Sequence, residues 1–144
     1  MEGKFAVVTG SSQGLGKSFA FQLAKDGWNL ILISLPDENL RNLSNSLNNS
    51  FGIWAFHYET DLAIKENVMA VSDWINQNFN IQMLVNNAGI GGTNRFDEAS
   101  SAYIEKIIQL ISWFLLKVLP IWIRLPMLSN KIEKELVHQF NLKP

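Results

Sequence analysis

Apolar residues fall in short, unbroken runs along the first 85 positions, and each run is followed by a stretch with helical spacing. Phe5 to Val8 and Leu30 to Ile33 are continuous rather than alternating, and Ile81 to Val85 is apolar but for Gln82. Such runs belong to strands buried on both faces, which is the condition of a parallel sheet. Between them Leu15, Phe19, Ala20, Leu23 and Ala24 recur at helical spacing, then Leu40, Leu43 and Leu47, then Ile64, Val68, Val71 and Ile75 with Trp74 beside them. The pattern predicts strands over 4–9, 29–34, 52–58 and 81–85, and helices over 14–26, 36–49 and 63–78. Gly27 stands where a helix ends on a left-handed residue. The Asn and Ser residues of the second helix read as a solvated face. Alternating strands and helices call for a parallel sheet wound with right-handed crossovers.

Past residue 110 the character changes. The run 107–116 is uncharged, and Lys117, Pro120, Arg124 and Pro126 then interrupt a still apolar stretch. A membrane span needs about 20 apolar residues, so the region reads better as a long helix reaching Leu119 with a second apolar piece behind it. Asn130 and Glu133 have capping-box spacing, and Ile132, Leu136, Val137 and Phe140 make an apolar stripe, so a last helix is expected.

Composition narrows the classes. The 144 residues are enough for one domain with a core, 47% are hydrophobic and 17% charged, and the net charge is −1. No basic stripe or nucleic-acid motif is present, so no nucleic-acid partner is expected. Cysteine is absent, which removes disulfides, thiolate metal sites and thiol nucleophiles and fits a cytoplasmic location. The amino terminus lacks a signal-peptide pattern. His57 and His138 stand apart, with no metal-ligand spacing around them.

The first strand breaks into Thr9-Gly10-Ser11-Ser12-Gln13-Gly14-Leu15-Gly16. Strand, glycine turn and helix in that order form a dinucleotide site, although the same glycines also suit an ordinary turn. Gly10 allows the turn, Gly14 lets backbone approach a pyrophosphate, and Gly16 lets the helix pack on the strand. Free N–H groups at the helix start then face the anion.

Three motifs together resemble the short-chain dehydrogenase/reductase family: Thr9 to Gly16, Asp61-Leu62 after the third strand, and Asn86-Asn87-Ala88-Gly89 after the fourth. The resemblance covers roughly 1–110 and implies an α/β, Rossmann-like, doubly wound sheet of about four strands in the order 3-2-1-4. It implies an NAD(P)-binding domain over 1–110, with 111–144 a divergent helical tail of the same domain. The implied cofactor residues are Gly10, Ser12, Gln13, Gly14, Leu15, Gly16, Ser34, Asp61, Leu62, Asn87, Ala88 and Gly89. Asp61 would meet the adenine amino group, or cap the next helix, or do both with its two oxygens. Asn86 would tie the turn to its neighbours, while Asn87, Ala88 and Gly89 lie nearest the cofactor. At the end of the second strand, an acid selects NAD and a base NADP. Ser34 and Leu35 are neither, and Asp37 comes slightly late. With Ser34 able to donate to a phosphate and Lys17 nearby in sequence, the balance tilts slightly towards NADP.

The family's catalytic set does not follow. It needs an asparagine on the fourth helix, where spacing gives Ile111, then a serine and Tyr-x-x-x-Lys. Tyr58 is followed four residues on by Leu62 and Tyr103 by Ile107, with Lys106 three away. The expectation is a short-chain oxidoreductase sequence, cut before its catalytic strand and helix, that binds cofactor with impaired hydride transfer. The alternative is a non-catalytic cofactor-binding or interaction module that uses an apolar helix face within 103–128, against a second copy or a partner chain. Membrane attachment through 107–128 is the least favoured reading. The outer edge of the fourth strand is expected to be an aggregation liability.

Overall fold

The computed structural model describes residues 3–89, 100–103, 105, 107 and 108. Seven elements follow in the order β1 (Phe5–Thr9), α1 (Gly14–Lys25), β2 (Asn29–Ser34), α2 (Leu40–Phe51), β3 (Ala55–Glu59), α3 (Lys65–Asn78) and β4 (Ile81–Val85). The four strands form one sheet in the order β3-β2-β1-β4, and each neighbouring pair is parallel.

The unbroken apolar runs follow from two covered faces. Phe5, Val7, Ile31 and Ile33 pack with Val68, Val71, Ile75 and Phe79 in the α3 layer. The alternate residues Ala6, Val8, Leu30 and Leu32 pack with Ala20, Ala24, Leu40, Leu43 and Leu47 of α1 and α2. Every residue of β1 is buried, whereas β3 and β4 are mostly half-buried. Central strands see helices on both sides and strands on both edges; outer strands lack one neighbour.

Several local expectations need correction. Leu15 is 64% and Phe19 40% exposed, and the packed face of α1 is Gly16, Ala20 and Ala24. Small residues let α1 lie close to the sheet, so the bulky positions turn outward. Ile64 is 46% exposed because it caps α3 with an extended backbone rather than facing the core. Gly52 does not open β3; it closes α2 in a left-handed conformation, φ 64°. The Asn and Ser residues of α2 are only partly a solvated face. Ser44 is buried and contacts His57 Nδ1 at 3.0 Å. Asn48 accepts from Ala55 N–H and donates to Ala55 C=O, which occupies backbone groups at the start of β3. At the other edge, Gln82 bulges from the β1–β4 register, and its Oε1 accepts from Phe5 N–H at 2.6 Å. The expected fourth helix beyond 108, the apolar stretch to 128 and the last helix lie outside the described residues.

Candidate cofactor site

All four strands run parallel, so their carboxyl ends share one side of the sheet. There the loops surround a cavity of about 420 Å³, within the ordinary range for small-molecule pockets. After β1 it is lined by Gly10, Ser12 and Gln13. After β2 come Ser34, Leu35 and Glu38; after β3, Thr60 to Ala63; after β4, Asn87 to Gly89. Nine of the twelve residues expected at a cofactor therefore line one cavity, and Gly14, Leu15 and Gly16 do not.

The turn after β1 is enforced by close approach. Gly10 has φ 63°, and a Cβ there would lie 2.9 Å from the Ala88 Cα. A Cβ on Gly16 would lie 2.1 Å from the Gly10 carbonyl oxygen and 2.5 Å from Asn87 Nδ2. Side chains are excluded at both places, so β1, α1 and the loop after β4 meet backbone to backbone. Gly14 differs, with open space where a side chain would be. Gln13 caps α1 without a side-chain bond, and the first turn holds no acid. The positive end of the helix is therefore left uncompensated by its own residues. Ser11 pins the turn to β2, donating from N–H and Oγ to Ile33 C=O, each at 3.3 Å.

Thr9, fully buried, joins β1 to the loop after β4. Its Oγ1 accepts from Asn87 N–H and Ala88 N–H, both at 2.9 Å, and donates to Asn86 Oδ1 at 3.2 Å. Asn87 Nδ2 donates to Thr9 C=O at 3.1 Å and Gly10 C=O at 3.2 Å. The tie expected of Asn86 is thus shared with Asn87, whose amide side chain holds the glycine turn while the residue lines the cavity.

Asp61 acts on its local backbone. Its Oδ1 accepts from Ala63 N–H at 2.8 Å, and its carbonyl accepts from Asn67 Nδ2 and Ile64 N–H. That Asx-type turn starts the approach to α3. Only Oδ1 is engaged among the described residues, and Asp61 also lines the cavity.

The residue missed by sequence reading is Glu38. It lies in the turn after β2, beyond the positions where an acid was sought. Ser12 Oγ donates to Glu38 Oε2, and Ser34 Oγ lies 2.5 Å from the same oxygen and 2.8 Å from Ser12 Oγ. The Ser12 and then the Ser34 hydroxyl hold the carboxyl below its ordinary value, against a smaller opposing effect of burial. Asp37 and Asn39, on either side, have φ 64° and 60°. Two left-handed residues fold the turn back over the strand ends. Ser34, expected to donate to a phosphate, instead faces Glu38, and Lys17 lines a separate groove with Gly14, Phe21 and Phe51. The available signal was the Pro-Asp-Glu-Asn stretch, whose turn-forming residues allow such a fold-back.

Neither tyrosine lines the cavity. Tyr58 packs on Trp74 with ring centroids 5.1 Å apart, and Lys106, considered with Tyr103, lies outside the described residues. Among the described residues no helix is long and apolar enough to cross a membrane.

The profile of the family described as short chain dehydrogenase matches residues 4–116. A curated relative, "11-beta-hydroxysteroid dehydrogenase B" of Sesamum indicum, is 31% identical over 131 residues, covering 90% of this chain and 36% of its own length. A "very-long-chain 3-oxoacyl-CoA reductase" of Candida glabrata is 40% identical over 89 residues, 60% of this chain and 25% of the relative. Among solved structures, L-sorbose reductase from Gluconobacter frateurii, complexed with NADPH and L-sorbose, superposes with a TM-score of 0.74 at 30% identity. The match covers 83% of this chain and 48% of that one. A short-chain dehydrogenase from Sphingobium yanoikuyae in complex with NADPH gives 0.72 at 25% identity, covering 82% and 46%. The chain thus spans about a third or less of these curated relatives and about half of the solved chains.

Proposed function

This chain belongs to the short chain dehydrogenase family of oxidoreductases, and we propose that residues 3–89 serve as its nicotinamide-dinucleotide-binding part. The carrying observation is the steric one. The turn after β1 excludes a Cβ at Gly10, which lines the cavity, and at Gly16, which holds α1 against the turn, so the chain meets the cavity as bare backbone at Gly10. This is the wall that a pyrophosphate needs, beside an α1 amino end with no acid of its own. The cavity volume and its place at the strand ends fit the same group.

In this reading Gly10, Ser12, Gln13, Gly14, Leu15 and Gly16 form the phosphate turn. Ser34 lies at the adenosine-ribose end, Asp61 and Leu62 take the adenine, and Asn87, Ala88 and Gly89 floor the nicotinamide ribose. Asp61 serves in two ways, with Oδ1 fixing the Ala63 turn and the other oxygen meeting the adenine amino group. When bound, the cofactor supplies or accepts a hydride, here exchanged with an alcohol or carbonyl substrate. The relatives' names, a hydroxysteroid dehydrogenase and an oxoacyl-CoA reductase, favour that substrate class.

The described lining holds no tyrosine, lysine or histidine, so these residues bind and orient without a proton donor at the substrate oxygen. Transfer by this chain alone is expected to be impaired, because a positioned acid or base contributes about 10²–10⁴-fold. The experiment is calorimetric titration of the purified chain with NADH and NADPH, followed by a carbonyl-reduction assay. Saturable binding with very slow reduction supports the reading. A folded chain that binds neither cofactor removes it and leaves the non-catalytic interaction module.

A further inference from the structure

We propose that the groove along the outer side of α1 docks an acidic amphipathic helix of another protein, whose carboxylates meet Lys17 and Lys25 and whose apolar side chains lie on Phe21 and Phe51. The groove shares no lining residue with the cavity at the strand ends, so the inference stands apart from the cofactor reading.

Three observations carry it. First, α1 turns its small residues to the sheet and its bulky ones outward. Gly16, Ala20 and Ala24 are buried, whereas Leu15, Phe19 and Phe21 are all exposed. Three large apolar side chains left out of the core by one 12-residue helix make a surface that folding alone does not use. Second, part of that surface is concave. Gly14, Lys17, Ser18, Phe21 and Lys25 of α1 and Phe51 at the end of α2 line a groove of about 500 Å³. Phe21 and Phe51 meet edge to face with ring centroids 6.2 Å apart, which gives it an apolar floor. Third, its charge has one sign. Lys17, Phe21 and Lys25 follow at four-residue intervals, so the lysines bracket the aromatic floor from attachment points about 12 Å apart along the helix. They are the ionisable residues of the described lining, and neither is ion-paired among the described residues. Asp26, next to Lys25, is bonded instead to Gln22 Nε2, at 3.1 and 3.2 Å.

The occupant follows from shape and sign. A helix laid along α1 carries residues seven or eight apart at a spacing of about 10–12 Å. Two acids so placed reach both lysines, while the apolar residues between them cover Phe21 and Phe51. A second copy of this chain does not fit, because a two-fold pairing of α1 with itself sets lysine against lysine whichever way the helices run. A membrane surface fits poorly too, since rings that floor a hollow do not reach into a lipid layer.

The test is fluorescence anisotropy with a labelled peptide of about 15 residues, the length at which an isolated helix begins to hold. It carries leucine along one face with glutamate flanking it, and a counterpart carries lysine in place of glutamate. The full chain and its variants are titrated in, each shown to be folded by circular dichroism. The expected result is saturable binding of the acidic peptide alone, weakened about tenfold by Lys17→Glu and by Phe21→Ala. Arg41→Glu makes the same change of charge at an exposed position of α2 outside the groove, and should weaken binding less than about twofold. No saturable binding by the folded natural chain, equal binding of the two peptides, or equal losses in Lys17→Glu and Arg41→Glu overturns the inference. Another occupant overturns it as well. Cosedimentation with phosphatidylserine vesicles that is lost in Phe21→Ala would make the groove a lipid site, and a dimer that dissociates in Phe21→Ala would make it a self-contact. Peptide binding that tightens in the Glu133→Gln, Glu135→Gln double variant would give the groove to residues 131–140 of this chain.

Discussion

The turn after β1 and the turn after β2 meet where Ser12 reaches Glu38, yet they are held in different ways. The first is set by exclusion: a Cβ has no room at Gly10 or Gly16, and Asn87 and Ser11 fasten the backbone to β1 and β2. The second is set by attraction between side chains: Glu38 is drawn to two hydroxyls, and its neighbours Asp37 and Asn39 take left-handed backbone to allow it. The comparison teaches that one cavity has a rigid wall, which any substitution strains, and an adjustable wall, which substitutions retune. Changes in the first turn should therefore appear chiefly as lost stability, and changes in the second should leave stability nearly unmoved.

The largest effect should come from Gly16→Ala, where the new methyl meets the Gly10 carbonyl. A loss of about 3 kcal/mol is expected in urea unfolding. A loss below about 1 kcal/mol would mean that α1 is free to move off the strand. Thr9→Val comes next. It removes the acceptor of Asn87 N–H and Ala88 N–H at a fully buried position. Stranding them should cost about 2 kcal/mol. Gly14→Ala sharpens the contrast within one turn, because its side chain would enter open space at φ 55°. The cost should be only about 1 kcal/mol, from the left-handed backbone alone. A cost equal to that of Gly16→Ala would break the steric account.

In the second turn Glu38→Gln should move stability by less than about 0.5 kcal/mol, since the residue is a partly exposed loop position. The smallest effect is that of pH. Ser12 and Ser34 lower the Glu38 carboxyl in the folded chain. The contact therefore adds stability above the carboxyl's unfolded value of about 4.5 and loses it as pH falls through the lower folded value. Acid unfolding of Glu38→Gln should accordingly be slightly less steep than that of the natural chain. An equally steep transition would show that the two hydroxyls do not hold the charged form.

How far each region was legible follows from the same difference. The bounds of β2 match the pattern because an unbroken apolar run has no other stable place than a sheet covered on both faces, and those of β4 match although Gln82 interrupts its run. Gly10 and Gly16 were legible because close backbone approach leaves only one residue type able to serve. The outward placement of Leu15 and Phe19 was not. Periodicity marks a face but does not reveal that the tightest packing prefers Gly16, Ala20 and Ala24. Glu38 was hidden for a related reason. Its role depends on hydrogen bonds to Ser12 and Ser34, 26 and 4 residues away, and on two left-handed residues that the local sequence permits without requiring. Asn48 was hidden likewise, because its pairing with Ala55 is a tertiary choice.

The central claim is that the cavity at the carboxyl ends of the four strands receives a nicotinamide dinucleotide. It is tested most directly by titrating NADH into the isotopically labelled chain and following backbone amide resonances. The account predicts saturable shifts concentrated at Gly10 to Gly16, Ser34 to Glu38, Asp61 to Ala63 and Asn87 to Gly89, with the amino ends of the strands unmoved. A well-dispersed spectrum that does not change at saturating NADH, or shifts centred elsewhere on the sheet, would contradict it.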